Sequence, residues 1–243
     1  MTILKRSLAP ITGSAWEEID DQAKKVLRSY LTARKFVDVE GPKGWDFSAV
    51  STGRVEIPSG QDAKAVQYGI RMVQPLIEVE KTFTLERKEL DAIESGAEDP
   101  ELEPLEQAVS EAALFEENAI FNGFQLGGID GLLENVENKV KVGSIENGLL
   151  AAISEALTTL AGSSIEGPYS LVIFTDLWKK VLSSSSGYPI ERRIGELIGG
   201  QIIRSSSLKG AAVVSERGGD FELTLGSDYS IGYVGHTDTT VSF

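Results

Sequence analysis

Apolar residues recur every three or four positions through Trp16, Ile19, Ala23, Val26, Leu27, Tyr30 and Leu31, one stripe of an amphipathic helix over 15–35. Ser14 followed by Glu17 has the spacing of a capping box, in which the hydroxyl and the carboxylate each take up an orphan N–H at the helix start. Asp20, Asp21, Lys24, Lys25 and Arg28 fall on the other face, and Gly41, Pro42 and Gly44 end the region. Over 50–85 the period changes to two. Ile77, Val79, Phe83 and Leu85 alternate with Glu78, Glu80, Thr82 and Thr84, which predicts a strand with one wet face. Residues 53–57 read as its partner, ahead of the turn-prone Pro58, Ser59 and Gly60, so 50–85 forms a long two-stranded arm. Such an arm is marginal in water by itself, and it is expected to pack on something, a second copy of the chain being one choice.

After an acidic loop at 94–103, Leu105, Ala108, Val109, Ala112, Ala113, Phe115, Ala119 and Ile120 predict a long helix over 105–121 that ends at Asn122 and Gly123. The glycine-rich stretch 127–131 reads as a hinge and a domain boundary. Beyond it, helix and strand alternate. A helix over 147–160 precedes a short buried strand at 169–174, and Asp176 is placed to cap a helix containing Trp178 and Leu182. That order argues for a compact α/β unit. A polar loop at 183–187 leads to Pro189 at a first helical position, with Ile194, Leu197 and Ile198 on one face and Gly199 behind them. Residues 202–204, 211–216, 221–225 and 230–234 read as strands, with Gly218 and Gly219 placed for a tight hairpin.

Composition changes the picture by exclusion. Hydrophobic residues at 41% and charged residues at 25% are those of an ordinary folded chain. Lys and Arg total 23 against 37 Asp and Glu, a formal charge of −14, which argues against phosphate backbones and anionic lipid as partners. The absence of Cys removes disulfides, thiolate nucleophiles and Cys-ligated metals. Residues 1–8 carry Lys5 and Arg6 without a following apolar run of signal-peptide length, and no run of about 18 uncharged apolar residues occurs. A cytoplasmic protein with no membrane contact is the expectation.

Candidate chemistry is sparse. His236 is the only histidine and Asp238 lies two residues on, but no G-x-S-x-G nucleophile elbow accompanies them, so His236 reads as an exposed turn residue. Glu98, Asp99, Glu101, Glu103 and Glu106 lack the spaced Asp/Asn and Gly of a calcium loop. Gly123, Gly127, Gly128 and Gly131 lack both the Lys-Ser/Thr pair and the G-x-G-x-x-G spacing of phosphate loops. No catalytic residue and no metal site is expected. An amphipathic helix, a strand arm and short separate regions are marks of an assembling subunit.

Six blocks carry a resemblance: LKRSLAPIT at 4–12, ARKFVDVEGPKGW at 33–45, AIFNGFQLGGIDGLL at 119–133, IEGPYSLVIFTD at 165–176, SGYPIERRI at 186–194 and VSERGGDFELTLGSDYSIGY at 214–233. In that order they resemble the family 1 encapsulin shell proteins, also called linocin-type bacteriocin proteins. The resemblance implies an α+β chain with the fold of tailed-phage major capsid proteins, many copies of which close into an icosahedral nanocompartment around a cargo enzyme. The parts it implies are an N-terminal arm and helix over 1–49 and an extended loop over 50–88. A peripheral domain with its spine helix follows over 89–131, then an axial domain over 132–222 and a return to the peripheral domain over 223–243. Family members continue for a further strand beyond the point matching Phe243, so the strand that closes the peripheral sheet is expected to be missing.

The resemblance also implies sites. A C-terminal targeting peptide of the cargo would lie in a groove matching Leu27, Leu31, Arg34 and Asp38, with Ile231 and Tyr233 opposite. Physically, a Leu/Ile-rich peptide needs an apolar trough with a charged rim. Arg34 and Asp38 equally suit an intramolecular ion pair. Ser183, Ser184, Ser185, Ser186, Gly187 and Tyr188 would line a pore for small ions at the five-fold axis. Some relatives hold a flavin between a tryptophan and the tyrosine matching Tyr188. Lys88 stands at the tryptophan position, so no cofactor is expected. The family's cargo is a ferritin-like iron-oxidising protein or a dye-decolourising peroxidase, which links such shells to iron storage and oxidative stress. The alternatives are a phage major capsid protein, disfavoured by the acidic balance, and a hydrolase or bacteriocin, disfavoured by one histidine and no cysteine.

Overall fold

Apolar side chains gather into three buried clusters, and the order in which the chain visits them defines the architecture. The computed structural model describes residues 3–62, 64–134, 136–143, 145–184 and 189–243. Its elements are α1 (Gly13–Tyr30), β1 (Asp38–Glu40), β2 (Ala49–Glu56), β3 (Ile70–Pro75), β4 (Thr84–Glu86), α2 (Arg87–Glu94), α3 (Glu103–Asn122), α4 (Ile145–Gly162), β5 (Tyr169–Phe174), α5 (Thr175–Ser184), α6 (Ile190–Ile198), β6 (Gly199–Ser205), β7 (Ala211–Ser215), β8 (Glu222–Thr224), β9 (Gly235–His236) and β10 (Thr240–Ser242). This is the mixed α+β composition expected.

In the first cluster, Ala15, Ile19 and Ala23 of α1 pack with Leu85, Leu90, Leu102, Leu105, Val241 and Phe243. Thr12, not Ser14, caps α1: its hydroxyl accepts from the Ala15 amide at 3.2 Å. Ser14 instead donates to Glu94 on α2, so the Ser14–Glu17 capping box does not form. The helix also stops at Tyr30, short of 35, and a separate 3-10 turn follows at Ala33–Lys35. β10 is the middle strand of an antiparallel sheet ordered β4-β10-β9, with Val241 opposite both Leu85 and His236. Phe243 stacks on Phe83 with centroids 5.2 Å apart and meets Trp16 edge-on at 5.3 Å.

In the second and third clusters, β5 is the shared wall. It lies between parallel β6 and antiparallel β7. Leu171 and Ile173 face α4, α5 and α6, where Leu149, Ile153, Trp178 and Ile194 cover them. Val172, between them, faces Ala33, Phe36, Phe121 and Ile203. Burial on both faces explains the unbroken apolar run at 171–173. Asp176 lies inside the first turn of α5, paired with Lys179 at 3.1 Å, rather than capping it.

Several strands differ from expectation. Alternation over 77–85 yields only β4, because its partner β10 is three residues long and Phe243 extends the pairing only to Phe83. Residues 230–234 form no strand: the Tyr233 amide donates to the Leu4 carbonyl at 2.8 Å, and β9 begins at Gly235. Gly218 and Gly219 do turn the chain, with φ of 80° and 77°. They make no hairpin, since β7 pairs with β5 while β8 runs parallel to β1. The glycine-rich segment folds back on α3, with the Leu132 amide donating to the Ile120 carbonyl at 2.9 Å. A Cβ on Gly131 would lie 2.3 Å from the Gly123 nitrogen, so this close approach requires glycine.

The arm forms with a different partner from the one expected: β2 pairs antiparallel with β3 at 70–75 and not with 77–85, with an irregularity between Ser51 and Val55. Val55, Ile57, Tyr68, Ile70, Met72 and Val73 are all exposed on it.

Phe243→Ala should lower stability by about 3–5 kcal/mol, the usual loss for a truncated core phenylalanine, read as an earlier urea midpoint. An unchanged midpoint would show that this end of the sheet carries little of the fold.

Candidate functional site

The second half of α1 leaves the first cluster and becomes the wall of a depression of about 340 Å³. Leu27 and Leu31, one turn apart, supply half-buried apolar surface, and Lys24 and Arg28 stand on the same helix beside them. Asp228 and Tyr229 form the opposite side, and Arg34 lies between the two. The volume is at the small end for a ligand site, and the shape is an open trough suited to an extended chain.

Arg34 holds the trough together. Its Nε and one terminal nitrogen each donate to a carboxylate oxygen of Glu116 on α3 at 2.7 Å, and the other terminal nitrogen donates to Asp228 at 3.0 and 3.2 Å. Its guanidinium carbon also sits 5.4 Å from the centre of the Tyr229 ring. Burial works to weaken the Arg34 cation, but the bonds to Glu116 and Asp228 outweigh it and hold the guanidinium above its usual range. Burial, with the nearby Glu116 charge, keeps the Tyr229 hydroxyl neutral well above the usual tyrosine range, and that hydroxyl donates to the Ala112 carbonyl at 3.2 Å. Arg34 is thus charged and Tyr229 neutral across ordinary pH.

Beside Glu116, Glu117 points into the body and is fully buried. It accepts from the Thr32 hydroxyl and from the Ala33 amide, the latter at 2.7 Å. This is why α1 ends before 35: the amide of Ala33 and the hydroxyl of Thr32 are taken by α3.

Of the residues proposed for the groove, Leu27, Leu31 and Arg34 line it together. The others lie elsewhere. Asp38 is on β1 and accepts from the Gly219 amide at 2.5 Å, so the Arg34–Asp38 ion pair does not form: Arg34 is taken by Glu116 and Asp228. Ile231 and Tyr233 pack against the first cluster, and Tyr233 is bonded to His236. Lys24, Arg28, Glu116, Asp228 and Tyr229 were not singled out. Lys24 and Arg28 follow from helical spacing around Leu27, whereas Asp228 and Tyr229 lie within the last motif, two to three residues before Ile231. Glu116 carries no local signal.

Among the described residues, no cluster of His, Asp and Glu is arranged to hold a metal ion. Ser183 and Ser184 end α5, where the Ser183 hydroxyl donates to the Lys180 carbonyl at 3.0 Å. Ser185, Ser186, Gly187 and Tyr188 lie outside the described residues. Lys88 is exposed in the first turn of α2, its amine 3.9 Å from Glu89.

Residues 1–243 match the Linocin_M18 family, described as an encapsulating protein for peroxidase. The type 1 encapsulin shell protein of Rhodospirillum rubrum is 39% identical over 249 residues, which cover 99% of this chain and 89% of that protein. The corresponding protein of Brevibacterium linens is 37% identical over 244 residues, covering 99% and 91%. Among solved structures, a virus-like particle from Pyrococcus furiosus shares the fold at a TM-score of 0.62 and 18% identity, over 93% of this chain and 91% of that one. The capsid-like fold expected from the motifs is therefore present, and the chain belongs to the encapsulin shell proteins, as a structural subunit rather than an enzyme.

Proposed function

We propose that many copies of this chain close into an icosahedral compartment in the cytoplasm and retain a cargo enzyme by its C-terminal tail, seated in the trough between α1 and residues 228–229. The single observation that supports the tail site is the trough itself: half-buried Leu27 and Leu31 lie beside a charged rim whose Arg34 is already fixed by two carboxylates. An extended peptide would bury one or two apolar side chains against the leucines and read the rim with its polar groups. The family description favours a peroxidase as cargo over a ferritin-like protein.

The arm supports the closed shell. Beyond its half-buried base at Ala49, Val50 and Gln74, the arm of β2 and β3 is exposed together with its apolar residues, so a neighbouring copy is the natural cover. The segment 183–188, whose first two residues end α5, would line the five-fold pore and admit small ions. Nucleic acid is no partner for a chain of charge −14. Among the described residues no helix is long and apolar enough to cross a membrane. We propose no flavin, since Lys88 is a poor stacking surface.

Leu27→Asp should leave particle size unchanged and reduce the cargo that copurifies per shell, because a buried leucine contributes about 1.5–3 kcal/mol, or roughly tenfold or more in affinity. Wild-type cargo content in intact Leu27→Asp shells would contradict the tail site. Removing residues 59–66 should leave the far-ultraviolet circular dichroism of the body in place while sizing chromatography shows small species. Full-sized particles from that deletion would show that the arm tip is not the clasp.

A further inference from the structure

The trough has a feature that the tail reading does not use. Glu116 and Glu117, consecutive on α3, project to different sides of the helix and hold three consecutive residues of the turn after α1. Glu116 takes Arg34, which lines the trough; Glu117 is buried and takes Thr32 and Ala33. Ala33 and Thr32 are themselves buried, so without Glu117 their amide and hydroxyl would have neither water nor a protein acceptor. Leu31 and Arg34 flank that pair, and both line the trough. Fixing 32–33 therefore fixes where the two trough residues stand.

We propose that Glu117 is the positioning residue of the trough, a buried latch whose proton occupancy sets how firmly the α1 turn is held against α3. This inference rests on the reading of the trough as the tail site only in its consequence for cargo; the latch itself is a property of the empty subunit.

The charges around the latch are few. On its own helix, Glu116 is adjacent and repels it. From the turn, Arg34 is committed to Glu116 and Asp228, and from residues 228–229 Asp228 and Tyr229 face that same pair. Among the described residues no cation lies within ion-pair distance of Glu117. Burial pushes its carboxyl group above the usual carboxylate range, the bonds from Thr32 and Ala33 pull it part of the way back, and Glu116 adds to the rise. The sign follows. A carboxyl group that holds its proton more tightly when closed than when open favours the closed turn at low pH, and that advantage is lost as pH rises through the raised value.

The test is hydrogen exchange of the peptide spanning 31–36 in empty shells, corrected for intrinsic rates, between about pH 5 and about pH 8. Wild type should lose protection as pH rises, roughly tenfold for each pH unit by which the closed carboxyl group titrates above the open one. Glu117→Gln, which keeps an acceptor for Ala33 but does not ionise, should show no such loss, and Glu117→Ala should be unprotected throughout. Cargo per shell should fall in Glu117→Ala and be kept in Glu117→Gln. A Glu117→Gln profile that tracks wild type, or full protection in Glu117→Ala, would overturn the latch. If Glu117→Ala does not assemble, the Glu117→Gln profile alone decides. Loss of protection with cargo retained would overturn the positioning role, whereas cargo retained in Leu27→Asp as well would instead remove the tail site.

Discussion

A two-stranded ribbon in water has to recover the entropy of ordering its backbone from one set of inter-strand hydrogen bonds and from whatever surface it buries. In this chain β2 and β3 pair only with each other, and Val55, Ile57, Tyr68 and Ile70 remain in solvent. The ribbon is therefore uncovered in a lone subunit, and in the proposed shell its completion by another copy is the constraint around which the rest is arranged. The base of the ribbon is tied to the body by the Gln74 side chain, which donates to the Gly127 carbonyl at 2.9 Å, while the Leu76 amide donates to the Ser48 carbonyl at 2.9 Å and continues the β2–β3 pairing.

The body is held together through α3 and β5. Phe121 of α3 packs in the cluster with Val172 of β5, while Leu105, near the other end of the same helix, packs with Ile19, Leu85 and Val241. One helix thus joins the sheet β6-β5-β7 to the sheet β4-β10-β9. Pro104 near its start and Glu103 and Glu106 in its first turn suit the positive end of the helix dipole. Midway, Glu116 and Glu117 turn the same helix into the support of the trough.

Helices and the central strand were legible because their patterns are local. The period of Leu105, Ala108, Ala112 and Ala119 locates α3, and the apolar run at 171–174 between Ser170 and Thr175 locates β5. Pairing was less legible. Alternation at 77–85 has the right period for a strand, but a strand exists only where a partner lies, and β10 pairs with it only at 84–86. Gly218 and Gly219 announce a turn without saying which sheets the flanking strands enter. The site divides the same way. Leu27 and Leu31 are visible as a helical pair, but the partners that fix Arg34 come from residues 82 and 194 positions away, and no local pattern encodes those contacts. The family resemblance implied Asp38 at the rim, and the chain turns it toward Gly219.

The most direct measurement of the central claim is the mass of the purified 243-residue chain by light scattering as it leaves a sizing column, with negative-stain images of the leading peak. Hollow particles of megadalton mass are the result predicted by an arm that another copy must cover. A single species at 26.2 kDa, soluble with its ribbon uncovered, would contradict it.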